Sequence, residues 1–227
     1  MCSSDLSTSE CYSGTIDTFK YKIPTPEDVP LCINPIDHPR FTYAVTKMLG
    51  ESGFLNYSKV FNFNCKIIRY NNVFGPKMGF GHIIPHLVER FLIGENPFKI
   101  YGANQTRSFC YIDDAAEGTI KAMECSNAKN DIFHIGSEDE ITIRDLVKEV
   151  GNYFNYTGEY IDSETYPGSV DRRCPDLSKS KAILNYYPKI NWKDGLIKTL
   201  EWYNNFFTKS NFNEIKFFES PSSLNKN

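Results

Sequence analysis

Short apolar runs alternate along this chain with longer stretches whose apolar residues recur at helical spacing, and this alternation most constrains its fold. The short runs predict β-strands over 65–70, 98–101, 108–112 and 132–135. The longer stretches predict helices over 40–60, 83–93, 113–123, 142–154 and 192–207. Leu49, Phe54 and Leu55 would form the apolar side of the first helix, and the aspartates at 113–114 would cap the third. Four prolines predict a surface loop over 15–35. Strands that alternate with helices are typical of an α/β architecture, and we expect that class of fold.

Charge and cysteine content exclude several kinds of partner. The 227 residues carry 25 basic and 28 acidic side chains, and the net charge of −3 gives no electrostatic basis for binding nucleic acid or an anionic membrane. No apolar run approaches the roughly 20 residues that span a bilayer. The seven cysteines are odd in number and form no CxxC pair, so we expect neither disulfides nor a metal site, and a cytoplasmic location.

The spacing of the glycines carries a further exclusion. None of the 14 glycines falls into GxGxxG, GxxGxxG or GxxxxGK spacing. The sequence therefore contains no loop of the kind with which dinucleotide-binding folds and P-loop proteins cradle phosphate groups.

A tyrosine and a lysine stand four residues apart in the first predicted helix. Tyr43 and Lys47 would share one face of that helix, so the ammonium could lie near the phenol. A nearby positive charge favours the phenolate, which can act as a base. Taken alone, the spacing is also typical of a solvated surface pair, because about one such pair is expected by chance.

Two other groups of polar residues could act on a substrate. The hydroxyls of Thr8 and Ser9 adjoin the carboxylate of Glu10, and together they could bind a substrate hydroxyl and accept a proton, although such a run is more often a capped turn. Arg107 and Arg173 could clamp a diphosphate through their planar guanidinium groups. Exposed arginines, or arginines paired with carboxylates, are the alternative.

These elements occur in a recognisable order, and the chain resembles the NAD-dependent epimerase/dehydratase family, the extended short-chain dehydrogenase/reductases that act on nucleotide sugars. The matching segments are STSECY, YAVTK, RYNNVFGP, PFKIYGANQTRSFCYIDDAAEG, FHIG and RRCPDLSKSKAIL. They run in register from Ser7 to about Tyr203, so the resemblance covers most of the chain.

The resemblance implies catalytic roles by position. Tyr43 would take the proton from the sugar 4-hydroxyl as hydride leaves C4 for NAD, and Lys47 would hold the nicotinamide ribose, so both would also bind the cofactor. Thr8 would orient the same hydroxyl. Glu10, with Ser9 beside it, matches the acid/base pair that works at C5 in dehydratases and decarboxylases.

The resemblance also implies substrate contacts and an assembly. Asn72, Arg107 and Arg173 would bind the nucleotide diphosphate, and Tyr101 would lie near the base. Family members are usually dimers through a four-helix contact that includes the helix with Tyr43, so the full-length protein is expected to be a homodimer.

The implied organisation is a partial doubly wound Rossmann-type sheet that lacks its N-terminal half, plus a small α/β substrate-binding domain. Residues 1–75 would be a remnant of the NAD-binding domain, 76–215 the substrate-binding region, with 131–137 returning to the Rossmann sheet, and 216–227 a disordered tail. Roughly 110 residues would then be missing ahead of Ser7. Residues 1–6 (MCSSDL) resemble translated adapter sequence, and our hypothesis is that they are not native.

Several functions remain open within this resemblance. A 4,6-dehydratase or 4-epimerase is the first expectation, and a UDP-glucuronate decarboxylase is the second, because the Thr8-Ser9-Glu10 triplet is similar to that of the decarboxylases. The full-length protein would be an enzyme, whereas this chain alone would be an inactive fragment that binds sugar nucleotides. A non-enzymatic regulator that lost its cofactor half is the third possibility.

Overall fold

The structure, a computed structural model, describes residues 2–165 and 169–209. The tail that the sequence predicts to be disordered, 216–227, lies outside the described residues. The strands are β1 (Cys2–Thr8), β2 (Asn64–Tyr70), β3 (Val73–Phe74), β4 (Phe98–Tyr101), β5 (Thr106–Ser108), β6 (Cys110–Tyr111), β7 (Asp131–Ile135), β8 (Glu140–Thr142), β9 (Tyr160–Ser163) and β10 (Arg172–Arg173). The helices are α1 (Ser13–Phe19), α2 (Arg40–Phe61), α3 (Ile83–Leu92), α4 (Ile112–Glu124), α5 (Ile143–Tyr153), α6 (Ser178–Leu184) and α7 (Trp192–Lys209).

A parallel three-stranded sheet in the order β1-β2-β7 organises the first half of the fold. Ser7 of β1 lies opposite Arg69 of β2, and Arg69 lies opposite His134 of β7. Helix α2 connects β1 to β2 and packs against β1. The predicted α/β class is therefore confirmed, with β7 joining the first sheet from a distant part of the chain.

The polar residues ahead of Ser7 do form a strand, which the sequence pattern did not predict. The backbone from Cys2 to Thr8 pairs along its length with β2. Strand pairing uses backbone N–H and C=O groups, so it does not require the apolar side chains that a sequence pattern detects. The loop predicted over 15–35 starts later than expected, because residues up to Phe19 belong to α1. The prolines that favoured a loop begin only at Pro24.

The face that α2 buries is different from the predicted one. The sequence favoured Leu49, Phe54 and Leu55 as the buried side, yet Leu49 is 72% exposed. The buried positions instead include Ala44 and Glu51, which face β1 and the turn after it. Because the neighbouring strand presents polar partners to this helix, hydropathy alone selected the wrong face.

Two helix starts show how local sequence signals compare with the structure. Thr142 begins α5 as predicted, since its hydroxyl accepts a hydrogen bond from the Asp145 amide at 3.0 Å. The predicted cap at residues 113–114 is wrong, because α4 already begins at Ile112. Asp114 instead accepts hydrogen bonds from the backbone amides of Lys189 and Ile190 at 3.0 and 2.9 Å, and so ties α4 to a distant loop.

A second region packs α3, α5 and α7 around β4 through the larger of two main apolar clusters, which includes Phe91, Phe98, Leu146 and Leu200. Beside it, β5 lies between the parallel strand β10 and the antiparallel strand β8. Within the described ranges, no helix is long and apolar enough to cross a membrane.

Candidate active site

Thr8, Ser9 and Glu10 lie where β1 ends and a turn of 3-10 helix (Ser9–Tyr12) begins. The Thr8 hydroxyl accepts a hydrogen bond from the Glu10 amide at 3.3 Å, which caps the turn. Ser9 is buried, whereas Thr8 and Glu10 are half-buried. The carboxyl end of a parallel strand is where α/β folds bind ligands, so both capping and substrate binding are open to this segment.

Glu10 is joined to Arg173, which comes from the far end of the chain. Arg173 Nη1 donates to Glu10 Oε1 at 2.5 Å, and its Nη2 donates to Ser13 Oγ at 2.9 Å. Ser13 in turn donates to the second carboxylate oxygen of Glu10 at 3.0 Å. The arginine expected to clamp a diphosphate therefore fixes the candidate acid/base carboxylate.

Tyr43 and Lys47 share one face of α2, as their spacing predicts. The Lys47 ammonium lies 5.9 Å from the centre of the Tyr43 ring and donates to the Leu6 carbonyl of β1 at 2.7 Å. Tyr43 is 52% exposed, so a ligand can reach its phenol. The pair thus lies beside the strand that ends at Thr8.

A buried ionic network beneath these residues was not predicted from the sequence. Glu51, one turn beyond Lys47 on α2, accepts two hydrogen bonds from Arg69, at 2.8 Å from Nε and 2.6 Å from Nη2. It also accepts one from the Ser7 hydroxyl at 2.5 Å. The side chains of Arg69 and Glu51 are only 3% and 5% exposed, so the pair ties α2 to β1 and β2 where water is excluded.

The same network continues to β7 through Tyr12 and His134. Arg69 donates to the Tyr12 hydroxyl, which lies 2.7 Å from His134 Nε2. His134 Nδ1 lies 3.1 Å from the Asp176 carbonyl, which fits a proton on Nδ1 and leaves Nε2 to accept from Tyr12. Burial lowers the pKa of His134 to about 3, so the imidazole is neutral.

Three of the four predicted substrate contacts line one cavity of about 380 Å³. Asn72, Tyr101 and Arg107 belong to its wall, whereas Arg173 does not. Asn72 donates from its amide to the Ser108 carbonyl at 2.9 Å, and its backbone takes the left-handed conformation with φ of 41°. The structure therefore brings a carboxamide, a phenol and a guanidinium to one concave site.

Arg107 is held at this cavity by neighbouring polar groups. Its Nη2 donates to Ser169 Oγ at 3.1 Å and to Gln105 Oε1 at 3.4 Å. The Gln105 oxygen also accepts from Thr165 Oγ1 at 3.2 Å. A guanidinium fixed in this way is suited to planar recognition of a phosphate.

Three cavity residues that were not predicted from the sequence lie on α3 or directly before it. His82, His86 and Arg90 follow one another at four-residue spacing and all line the cavity. That spacing on an otherwise apolar helix is a signal that could have identified them. Burial, with Arg90 nearby, lowers the pKa of His86 below its ordinary value, which favours the neutral ring.

The cysteines carry no visible chemistry in the part of the chain that the structure describes. Cys11, Cys65, Cys110 and Cys174 are buried free thiols. Burial raises the pKa of Cys11 to about 11, which disfavours the reactive thiolate. Among the described residues, His, Cys, Asp and Glu form no group of three or more that could hold a metal ion.

Comparison with known proteins places this geometry in a family context. A family model described as the NAD dependent epimerase/dehydratase family matches residues 5–136. The UDP-N-acetyl-alpha-D-glucosaminuronate decarboxylase of Bacillus cytotoxicus is 30% identical over 207 residues, which cover 87% of this chain and 62% of that protein. Human dTDP-D-glucose 4,6-dehydratase is 28% identical over 209 residues, with coverages of 89% and 56%.

A solved structure shares the fold. The UDP-glucose 4-epimerase of Thermotoga maritima, crystallised with UDP-glucose, superposes with a TM-score of 0.77 at 26% identity. The matched region covers 91% of this chain and 64% of the epimerase chain. The chain therefore spans less than two thirds of the length of each of these relatives.

Proposed function

Because this chain belongs to the NAD dependent epimerase/dehydratase family, we propose that the whole protein oxidises a nucleotide sugar at C4 with NAD and then epimerises or dehydrates it. The observation that carries the proposal is the Tyr43–Lys47 pair, which lies on α2 beside the strand that ends at Thr8. An exposed phenol, a fixed ammonium and a hydroxyl lie together at one sheet edge, and such groups can bind an alcohol and accept the proton that it loses on oxidation.

In the proposed first step, Tyr43 as phenolate takes the proton from the sugar 4-hydroxyl. The electron pair of that O–H bond forms the second bond of the C4 carbonyl, and the hydrogen on C4 leaves as hydride with the electron pair of the C4–H bond. NAD, when bound, supplies the acceptor for that hydride. Lys47, held by the Leu6 carbonyl, keeps its ammonium 5.9 Å from the centre of the Tyr43 ring. Thr8 orients the reacting hydroxyl.

The residues present fit only one end of the cofactor. Tyr43 and Lys47 are available on one helix face for the nicotinamide ribose. The sequence offers no glycine-rich loop for the pyrophosphate. The proposal therefore assigns to this chain the proton transfer and the ribose contact, and no contact to the phosphates of NAD.

Glu10 is proposed to move the proton at C5 once C4 is a ketone, because a neighbouring carbonyl acidifies that C–H bond. Its carboxylate is positioned by Arg173 and Ser13 at 2.5 and 3.0 Å. Ser9 is buried beside it. We assign Arg173 to positioning Glu10, since it does not line the cavity.

The nucleotide is proposed to occupy the cavity formed by β4, β5 and α3. Arg107 and Asn72 would hold the diphosphate there, and Tyr101 would lie against the base. A volume of about 380 Å³ lies within the usual range for small-molecule sites.

A decarboxylase acting on a UDP-linked uronic acid is the second candidate. It is supported by the 30% identical decarboxylase of Bacillus cytotoxicus and by the Thr8-Ser9-Glu10 triplet. Both activities share the C4 oxidation, and they differ in whether the C5 carboxyl group is lost as CO₂ from the ketone.

In the test, the protein is incubated with NAD and one sugar nucleotide at a time: UDP-glucose, UDP-glucuronate or dTDP-glucose. The products are separated by chromatography and identified by mass spectrometry. Epimerisation leaves the mass unchanged, dehydration removes water and decarboxylation removes CO₂. Tyr43→Phe should abolish product while nucleotide binding persists, whereas Tyr187→Phe, at an exposed tyrosine outside α2 and outside the cavity, should leave turnover unchanged. Nucleotide binding without turnover by the unmodified chain would instead support the inactive binding fragment.

We also propose that two copies associate through α2. This helix exposes Leu49, Tyr57, Val60 and Phe61, each more than 60% accessible. Adjacent apolar side chains on one helix are typical of a buried interface. Light scattering should give twice the chain mass, and Leu49→Glu should return it to the monomer mass.

A cytoplasmic location is part of the same proposal. The cysteines at positions 11, 32, 65, 110, 125 and 174 are free thiols, which suits a reducing compartment. Fractionation of expressing cells should recover the protein with cytoplasmic markers.

A further inference from the structure

Arg90 is a buried arginine in the cavity wall that the proposed chemistry does not use. It is 8% exposed. Its Nε and Nη2 donate to the two carboxylate oxygens of Glu95 at 2.6 and 2.7 Å, and Nη2 also donates to the Lys99 carbonyl at 2.5 Å. Both Glu95 and Lys99 lie in the segment that leads from α3 into β4.

Two aromatic rings add to this restraint. The guanidinium carbon lies 4.1 Å from the centre of the Phe98 ring and 5.5 Å from that of Tyr101. A planar cation held by a bidentate carboxylate and by ring faces has little freedom to reorient. Arg90 is therefore a preorganised group.

One nitrogen of this guanidinium remains available. Arginine has five N–H donors, and the hydrogen bonds above use Nε and Nη2. Nη1 makes no hydrogen bond to any residue within 2–165 or 169–209. The enclosed polar atoms without a partner in that part of the chain are Ser108 Oγ and Arg173 Nε, so Nη1 of Arg90 is not fully enclosed. Nη1 therefore keeps two N–H donors without a partner among the described residues, and Arg90 belongs to the cavity wall.

The surroundings of Arg90 suit a base better than a phosphate. Leu87, Ile100, Phe109 and Val147 line the same cavity, and Tyr101 offers an aromatic face. Apolar walls favour a flat heterocycle, whereas a phosphate would lose its hydration without full compensation. The phosphate is already assigned to Arg107 and Asn72.

We propose that Arg90 is a specificity-determining residue that selects a 4-oxo pyrimidine, uracil or thymine, by donating from Nη1 to the oxygen at C4. The proposal rests on the proposed function, because it takes the cavity as the nucleotide site. The C4 edge is the edge of the pyrimidine farthest from the ribose and diphosphate, so it reaches furthest from Arg107. Cytosine carries an amino group there, and that donor would face the donors of Arg90.

The size of the effect follows from the charge on the donor. A hydrogen bond from a charged, desolvated group to a carbonyl changes affinity by roughly 10- to 100-fold. If Arg90 only supported the fold, its loss would weaken the binding of UDP and of CDP equally, because the two share the same ribose and diphosphate. The ratio of the two affinities therefore separates recognition from support of the fold.

The experiment measures UDP and CDP binding to the chain by isothermal titration calorimetry. The unmodified protein should bind UDP at least tenfold more tightly than CDP. Arg90→Met keeps much of the side-chain volume and should bring that ratio close to one, mainly through loss of UDP affinity. Arg90→Met/Glu95→Gln removes the carboxylate left unpaired and should show the same ratio if the single variant folds poorly.

Arg144→Met is the matched control, since Arg144 pairs with Asp162 and does not line the cavity. It should leave both affinities unchanged. Equal binding of UDP and CDP by the unmodified protein, or an unchanged ratio in both Arg90 variants, would overturn the role of Arg90 while leaving the nucleotide site intact. Failure of the unmodified protein to bind either nucleotide would overturn the proposed function together with it.

Discussion

Removal of the negative charge at Glu51 should destabilise the protein more than any change to its surface ion pairs. Glu51→Gln keeps the side-chain shape but leaves the Arg69 cation buried without its counter-ion. The carboxylate currently accepts hydrogen bonds at 2.5, 2.6 and 2.8 Å from Ser7 and Arg69. The two side chains are 5% and 3% exposed, so solvent cannot replace the lost charge.

The expected magnitude follows from burial. Breaking a buried ion pair by removing one partner costs about 3–5 kcal/mol, a large part of the ~5–15 kcal/mol that typically stabilises a domain. The double variant Glu51→Gln/Arg69→Met removes both charges and should be less destabilised than the sum of the two single variants. A non-additive result of this kind would show that the two charges stabilise each other.

Urea unfolding followed by circular dichroism gives the free energy of unfolding for each variant. The control is Asp162→Asn, which breaks the pair with Arg144 whose side chains are 51% and 33% exposed. That change should cost less than about 1 kcal/mol. If Glu51→Gln lowers the free energy of unfolding no more than the control does, burial does not strengthen the Glu51–Arg69 pair and the reasoning is refuted.

Four further outcomes are expected. Burial lowers the pKa of His134 to about 3, below the value of 6.5 in the unfolded chain. The free energy of unfolding should therefore fall by about 1.4 kcal/mol per pH unit as the pH drops below 6.5. His134→Gln should remove this dependence when the free energy of unfolding, measured in urea, is plotted against pH. Gly195→Ala should cost about 1–3 kcal/mol, since its Cβ would meet Tyr111 at 2.6 Å, whereas Gly53→Ala, with open space in α2, should raise thermal stability by about 0.5–1 kcal/mol. Arg107→Ala should weaken UDP binding by roughly 10- to 100-fold in calorimetry, and an unchanged affinity would remove it from the phosphate site.

Local patterns predicted most of the framework. The apolar pattern predicted the helix that carries Tyr43 and Lys47. The four-residue spacing predicted that the two side chains share a face, which depends only on helix geometry. The Thr142 cap is equally local. The prediction of the buried face of α2 was wrong because burial depends on what packs against a helix. Among the described residues, nothing covers Leu49.

The sequence by itself determined the α/β class, the family, and the types of residue available for proton transfer and phosphate binding. Only the tertiary structure decided which of them meet. Arg173 lies 163 positions from Glu10 and Tyr12 lies 122 positions from His134, and no local pattern constrains such distances. The physical reason is that periodicity reports the conformation of neighbouring residues, whereas a buried charge finds its partner through the packing of strands and helices that are remote in sequence.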